Sequence, residues 1–322
     1  SSCEEGRNDC KSPCAVDLEG SGFNYDSSLS SNLSIGSDPL CSESFKLFNM
    51  RQLVSFLISF FALVSCAERP YVIVQIADAQ LGFTAADKSQ KEGTEYVNDL
   101  TYEIDCLAKA VSMVNEIQPD AVVFTGDQVN RYYDAEQWDT FAKVISEIDP
   151  SIKVFHIPGN HDVIISEGNV DSTPFTDRYG SDRFLHIEGG VRMVGINSNL
   201  IKYNDPREDG LVEWMKESLT KDSTDEVSIL FSHHPFFLKD IDEEDGYFQI
   251  QKAKRQDYFN ICTALGVNAL YAGHLHNDSE GSYEGIPVTT TTSVAFQIGP
   301  AQPSIRVITV QNGMVSDEVL NL

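Results

Sequence analysis

Five apolar runs in this chain end alike, each on residues whose side chains can hold a metal ion. "YVIVQIADAQLG", Tyr71 to Gly82, leads to Asp78 and Gln80. "AVVFTGD" leads to Asp127, and "VFHIPGNHD" to Asn160, His161 and Asp162. "SILFSHHP" leads to His233 and His234, and "ALYAGHLH" to His274 and His276. Short runs of this kind, bounded by turn residues, read as buried strands. In open α/β sheets, ligand-binding groups collect beyond the carboxyl ends of the strands. A chain that repeats this ending must bring several strand ends to one edge, and no other feature constrains its fold as much. Gly126, Gly159 and Gly273 sit beside these residues, where tight turns and close backbone approach are needed.

Between the runs lie longer stretches with helical spacing. Glu95 to Ile117 puts Leu100, Ile104, Leu107, Val111 and Val114 on one face, which predicts a helix. "DAEQWDTFAKVISEI" predicts another, with Asp134 as its N-cap. "EDGLVEWMKESL" and "QKAKRQDYFNICTALG" predict two more. "FLHIEGGVRMVGINS" reads as a hairpin about Gly189 and Gly190, and the tail as short antiparallel strands. No repeat and no linker interrupts residues 70–322, so one α/β domain with mixed sheets is expected.

Residues 1–49 differ from the rest. They are rich in Ser, Gly, Asn and Asp without a sustained period, the composition of a disordered segment. We expect them to be disordered or a spurious upstream extension, with Met50 the true start. Residues 50–66 read as a signal peptide: Arg51, an apolar run from Leu53 to Val64 too short to span a bilayer comfortably, then "LVSC". That ending resembles a bacterial lipobox, which would make Cys66 the lipid-bearing residue of an exported lipoprotein, periplasmic or at the cell surface. A secreted soluble protein is the alternative. Cys106 and Cys262 lie in helix-like segments with apolar neighbours and read as buried thiols. The net charge is −26, and residues from 66 onward keep 41 of the 49 acids and 19 of the 23 bases. So acidic a surface argues against nucleic acid and anionic lipid headgroups as partners. Membrane contact is expected only through a lipid on Cys66, and the chain is expected to be a monomer.

Each strand ending alone has a bland reading: a Gly-Asp after a strand is often a turn, and a single histidine is often a satisfied core or surface residue. Yet five of the seven histidines fall in these motifs, leaving only His156, which reads as core, and His186. The ordered series resembles that of the calcineurin-like metallophosphoesterases across about residues 71 to 310. The resemblance implies their fold: a four-layer αββα sandwich of two mixed β-sheets flanked by helices. It also implies two divalent metal ions, Mn, Fe or Zn. Asp78 and His276 would hold the first, Asp127 would bridge, and Asn160, His233 and His274 would hold the second. His161 would act as acid or transition-state stabiliser, oriented by Asp162.

Gln80 departs from the family's usual Asp-x-His. A branch with Asp-x-Gln includes animal members described as serine/threonine protein phosphatases, and "HHPFFLKDIDEEDGYFQI" is similar to that branch. Gln offers a neutral oxygen in place of a neutral nitrogen, so the site's charge is kept but the ligand is harder, which favours Mn²⁺ or Fe at the first site. Arg131, His234 and Tyr247 are candidate substrate contacts. The expected function is hydrolysis of phosphomonoesters, of a small molecule or a serine/threonine phosphoprotein, by water activated between two metals. A phosphodiesterase or nucleotide pyrophosphatase on the same site is one alternative; a non-catalytic exported binding lipoprotein is another.

Overall fold

The computed structural model describes residues 69–221 and 227–322. Residues 1–49 and residues 50–66, the segment expected to be a signal peptide ending at Cys66, lie outside the described residues. Three strands, β1 (Tyr71–Ile76), β2 (Ala121–Thr125) and β3 (Lys153–Ile157), run parallel and side by side. Two more, β12 (Ser304–Gln311) and β13 (Met314–Asn321), continue that sheet antiparallel beyond β1. In the second sheet β7 (Val191–Gly195), β8 (Val227–Ser232), β9 (Ala269–Ala272) and β11 (Ile286–Thr290) are parallel. Its rims are the antiparallel β6 (Phe184–Glu188), which forms the expected hairpin with β7, and β10 (Ser279–Tyr283). A small hairpin of β4 (Ile164–Ser166) and β5 (Asn169–Asp171) stands apart.

Both sheets are mixed, and the period-2 alternation of each strand shows how they are stacked. Ile73 of β1 and Val123 of β2 pack with Met193, Ile229, Phe231 and Tyr271 of the second sheet. Their neighbours Val74, Ile76 and Phe124 face the other way, onto Leu107, Val111 and Phe141. Those three belong to helices α2 (Thr101–Ile117) and α3 (Ala135–Ile145), which cover the first sheet. On the far side, α5 (Ser198–Lys202), α6 (Glu208–Leu219) and α7 (Lys252–Ala264) lay Leu200, Leu211, Met215 and Phe259 against Leu230, Leu270 and Val288. The layers therefore run helix, sheet, sheet, helix, as expected. Strands buried on both faces read as unbroken apolar runs.

Two elements differ from expectation. The helix expected from Glu95 begins at Thr101. Residues 95–100 instead lie outside any helix, with Gln137 Nε2 donating to Tyr96 and Asn98. A further helix, α1 (Phe83–Glu92), has no fully buried residue, so it carries no apolar stripe to read. Asp134 does cap α3, accepting from the N–H groups of Glu136 and Gln137.

Near the carboxyl ends of the strands the packing between the sheets turns polar. Gln75 Nε2 donates to Thr125 Oγ1 and to the Ala272 carbonyl, both at 3.0 Å, and its Oε1 accepts from Thr291. Arg306 donates to Thr291 Oγ1 at 2.8 Å, to Asp278 at 3.1 Å and to Asp317. Gln75 and Arg306 are both buried, so the network ties the two sheets together beneath the ligand-bearing loops.

His156 is a core residue, as its place inside a strand run implied. Its ring stacks between Phe124 at 4.9 Å and Tyr179 at 4.1 Å, and Nδ1 is sealed off without a hydrogen-bond partner. Burial pushes it down to about 3. An unfolded chain takes up this proton near pH 6.5. Its contribution to stability is therefore full above about pH 6.5 and is lost as the pH falls toward the folded value, by up to about 1.4 kcal/mol per pH unit. Urea titrations from pH 7 to pH 4 should show a shallower loss in His156→Phe, which keeps the stack. An unchanged slope would assign the acid sensitivity to other groups.

Candidate metal centre

β1, β2, β3, β8 and β9 all deliver their ligand-type residues at their carboxyl ends, and the loops after β1 and β2 stay paired. Asp78 N–H donates to the Gly126 carbonyl and Gln80 N–H to that of Asp127. Asp78, Gln80, Asp127, His274 and His276 all have positive φ, between 41° and 67°. Non-glycine residues rarely adopt this region, and when they do they cluster where function over-determines the backbone. Gly159 is needed for closeness: a Cβ there would collide with Asp127 Oδ1. Gly126 combines both needs, since its φ is 95° and a Cβ would press on His233 Nδ1.

Among the described residues, two groups of side chains bring their ligand atoms within 4.8 Å of one another: Asp78 with Asp127 and His276, and His233 with His234 and His274. Hydrogen bonding refines the second group. His233 Nδ1 lies 2.9 Å from the Thr125 carbonyl, which can only accept, so Nδ1 carries the proton and Nε2 faces inward. Around that Nε2 stand Asn160 Oδ1 at 3.0 Å, His274 Nδ1 at 3.1 Å and Asp127 Oδ2 at 3.4 Å. Ligands bonded at about 2.1 Å to one ion lie about 3.0–3.4 Å apart, and each of these three atoms stands at that spacing from His233 Nε2. In the first group His276 Nε2 lies 3.6 Å from Asp78 Oδ1, while Nδ1 donates to the Phe296 carbonyl. Gln80 Oε1 is buried and has no partner. Its amide nitrogen reaches Asn130 Oδ1 at 3.5 Å. A buried carbonyl oxygen left unpaired, two residues after Asp78, is what an ion-holding amide looks like.

The electrostatics suit a cation as well. Burial pushes the Asp78 carboxyl up. Burial also acts to raise Asp127, but the charges of His233 and His161 overrule it and hold that carboxyl well below the usual range. His233 is opposed by burial, yet Asp127 and Asp78 push it up to about 9. Two buried carboxylates this close need positive charge between them. The donor set of carboxylates, amides and imidazoles fits a pair of divalent ions.

Two sequence-based roles need correction. The first is Asp162, expected to orient His161. It is fully buried and turns away, accepting from the N–H groups of Gly159, Gln128 and Val129 at 2.8, 2.9 and 3.3 Å. It braces the two ligand loops against each other. His161 is oriented instead by the Asn130 carbonyl, 2.9 Å from Nδ1, while its backbone N–H donates to Asp127. The second is His234, expected near substrate. It is fully buried, with Nδ1 on Ser198 Oγ at 3.0 Å, and is closed to substrate.

Arg131 is brought to the rim, but its guanidinium lies over the Tyr96 ring, 3.6 Å from the centroid. Tyr247 is 64 % exposed, and its ring lies 5.3 Å from that of His274, at the mouth of the second group. Phe83 and Phe296 flank His276 on the other side. Asn130 went unnoticed in the sequence although it follows the Gly-Asp motif closely, and the carbonyls of Thr125 and Phe296 have no side-chain signature at all.

Residues 71–278 match the Calcineurin-like phosphoesterase family. The serine/threonine-protein phosphatase CPPED1 of Rattus norvegicus is 27 % identical over 256 residues, covering 75 % of this chain and 80 % of its own. A probable cyclic nucleotide phosphodiesterase of Pseudoalteromonas is 28 % identical over 224 residues, covering 65 % of this chain and 75 % of its own. A dimetal phosphatase from Danio rerio superposes with a TM-score of 0.53 at 18 % identity, covering 79 % of this chain and 99 % of that one.

Proposed function

This chain belongs to the calcineurin-like phosphoesterase family, and from that membership we propose that it hydrolyses phosphomonoesters at a centre of two divalent ions. The observation that carries the reading is the convergence of donor atoms from five strand ends beside one histidine that is not itself among them. Asp78, Gln80, Asp127 and His276 would hold the first ion; Asp127, Asn160, His233 and His274 would hold the second. Bound there, the ions would supply positive charge for the phosphate oxygens and acidify water near neutral pH.

The chain's own residues do the rest. Asp127 sets the spacing of the two donor groups and, through Oδ1, fixes the backbone of His161 at 2.8 Å. Asn130 holds the His161 proton on Nδ1, so Nε2 is the atom that can give a proton to the departing oxygen. Tyr247 on one side and Phe83 with Phe296 on the other wall the centre with apolar rings. These walls limit water at the mouth and give the organic part of a substrate a surface to lie on.

Gln80 sets the preference of the first ion toward Mn²⁺ or Fe. Gln80→His should hold Zn²⁺ at that site roughly tenfold more tightly, as metal titration of the purified chain would show. An unchanged Zn²⁺ affinity would mean that Gln80 is not a ligand.

The similarity to a serine/threonine-protein phosphatase supports phosphoprotein as the substrate class. The similarity to a probable cyclic nucleotide phosphodiesterase supports a second reading, diester hydrolysis. With Mn²⁺ supplied, p-nitrophenyl phosphate should turn over much faster than bis-p-nitrophenyl phosphate. The reverse order would replace the monoesterase reading by the diesterase one.

A further inference from the structure

Three site histidines have their outward nitrogen accounted for, and a fourth does not. His161, His233 and His276 each direct Nδ1 to a backbone carbonyl, those of Asn130, Thr125 and Phe296. Such a partner fixes the tautomer and the ring of a ligating histidine. His274 is turned the other way round: its Nδ1 is the atom 3.1 Å from His233 Nε2, so Nε2 points outward. A neutral imidazole that ligates through Nδ1 carries its proton on Nε2. In His274 that atom is buried and has no hydrogen-bond partner. A buried N–H without an acceptor costs about 1–3 kcal/mol.

Beside it lies a second orphan. His234 Nε2 is also buried without a partner, and the His234 ring centre is 4.5 Å from that of His274, inclined by 58°. Its Nδ1 is engaged by Ser198 Oγ, which also accepts the His234 backbone N–H. His234 therefore has one nitrogen tied down and the other without a partner, and that second nitrogen belongs to the ring next to the one ligand histidine that lacks an acceptor.

We propose that His234 is a positioning residue for the second ion: its Nε2 accepts the Nε2 proton of His274, and Ser198 keeps the His234 proton on Nδ1. The rings are already adjacent, and χ2 of histidine is a soft torsion. Each orphan nitrogen then explains the other, and His234 does for His274 what backbone carbonyls do for the other three. His234 touches neither ion nor substrate. The inference rests on the two-ion reading, which it deepens.

The test is metal titration of the full chain, stripped by chelator, as wild type, His234→Leu and His234→Gln. Leucine removes the acceptor, whereas glutamine restores one. His234→Leu should lose about 10- to 100-fold in affinity for one ion and nothing for the other. His234→Gln should stay within about threefold of wild type for both. Leucine with wild-type affinities, or glutamine as weak as leucine, would overturn the assignment. Nitrogen-15 spectra of the imidazoles in Zn²⁺-loaded wild type give a readout that does not depend on a variant folding. They should show His234 protonated at Nδ1 and His274 at Nε2; a His234 protonated at Nε2 would overturn the inference. A wild type that takes up fewer than two ions would overturn the two-ion reading together with it, and the titration separates that outcome from failure of the His234 role alone.

Discussion

Asp127→Asn should lower kcat on p-nitrophenyl phosphate by roughly a thousandfold or more, equivalent to about 4 kcal/mol of lost transition-state stabilisation. Asp127 groups with Asp78 and His276 on one side and, through Oδ2, stands 3.4 Å from His233 Nε2 on the other. Asparagine keeps the shape and one oxygen for the His161 N–H, but removes the negative charge that both donor groups share. The chelator-stripped protein should lose some stability, because His233 and His161 hold Asp127 well below the usual carboxylate range and the substitution takes away their counter-charge; the melting temperature should fall without collapsing. The check is turnover, bound metal and melting together. Wild-type turnover in Asp127→Asn would place the chemistry elsewhere in the molecule. Loss of turnover together with a collapsed melting temperature would show only that Asp127 is needed for folding.

His161→Ala should cost about 10²- to 10⁴-fold in kcat on an alkyl monoester, with two bound ions retained. The ring is held by the Asn130 carbonyl, outside both donor groups, so its removal subtracts a proton donor without opening the centre. An alkyl leaving oxygen needs that proton, and a p-nitrophenolate needs it far less. The defect should therefore shrink markedly on p-nitrophenyl phosphate. Equal losses on both esters would assign His161 to charge stabilisation, and loss of an ion would make it a ligand.

The candidate donors were legible in the sequence because nearly all stand at the end of a strand buried on both faces; only β3, which leads to Asn160, is partly buried. Such strands announce themselves as apolar runs, and parallel strands must present their carboxyl ends together. The four layers followed from the family resemblance, and the packing of β1, facing the other sheet through Ile73 and the helices through Val74, agrees with it. What stayed hidden has a common cause: it depends on where a side chain turns once the backbone is placed. Asp162 follows His161 in sequence, yet its carboxylate serves backbone N–H groups of two loops. His234 follows His233 just past the end of β8, yet its Nδ1 turns to Ser198 while that of His233 turns to the Thr125 carbonyl. Arg131 reads as a candidate substrate contact, and only the fold supplies the Tyr96 ring beneath its guanidinium. α1 went unread because a helix with no fully buried residue leaves no periodic trace.

Asp78 accepts the backbone N–H of His274 across 196 positions of chain, one residue at the end of β1 and the other at the end of β9. Local folding cannot bring that pair together; it forms only when two separately wound sheets have docked. In a zinc finger the ion gathers a loose chain and drives its folding. Here the order is inverted: the protein must finish this long-range contact between its sheets before an ion meets more than scattered donors. Ion uptake during refolding should then be the last event to complete. Its rate reports the closing of the seam between the sheets, and chelation of the finished molecule should empty the seam without unstitching it.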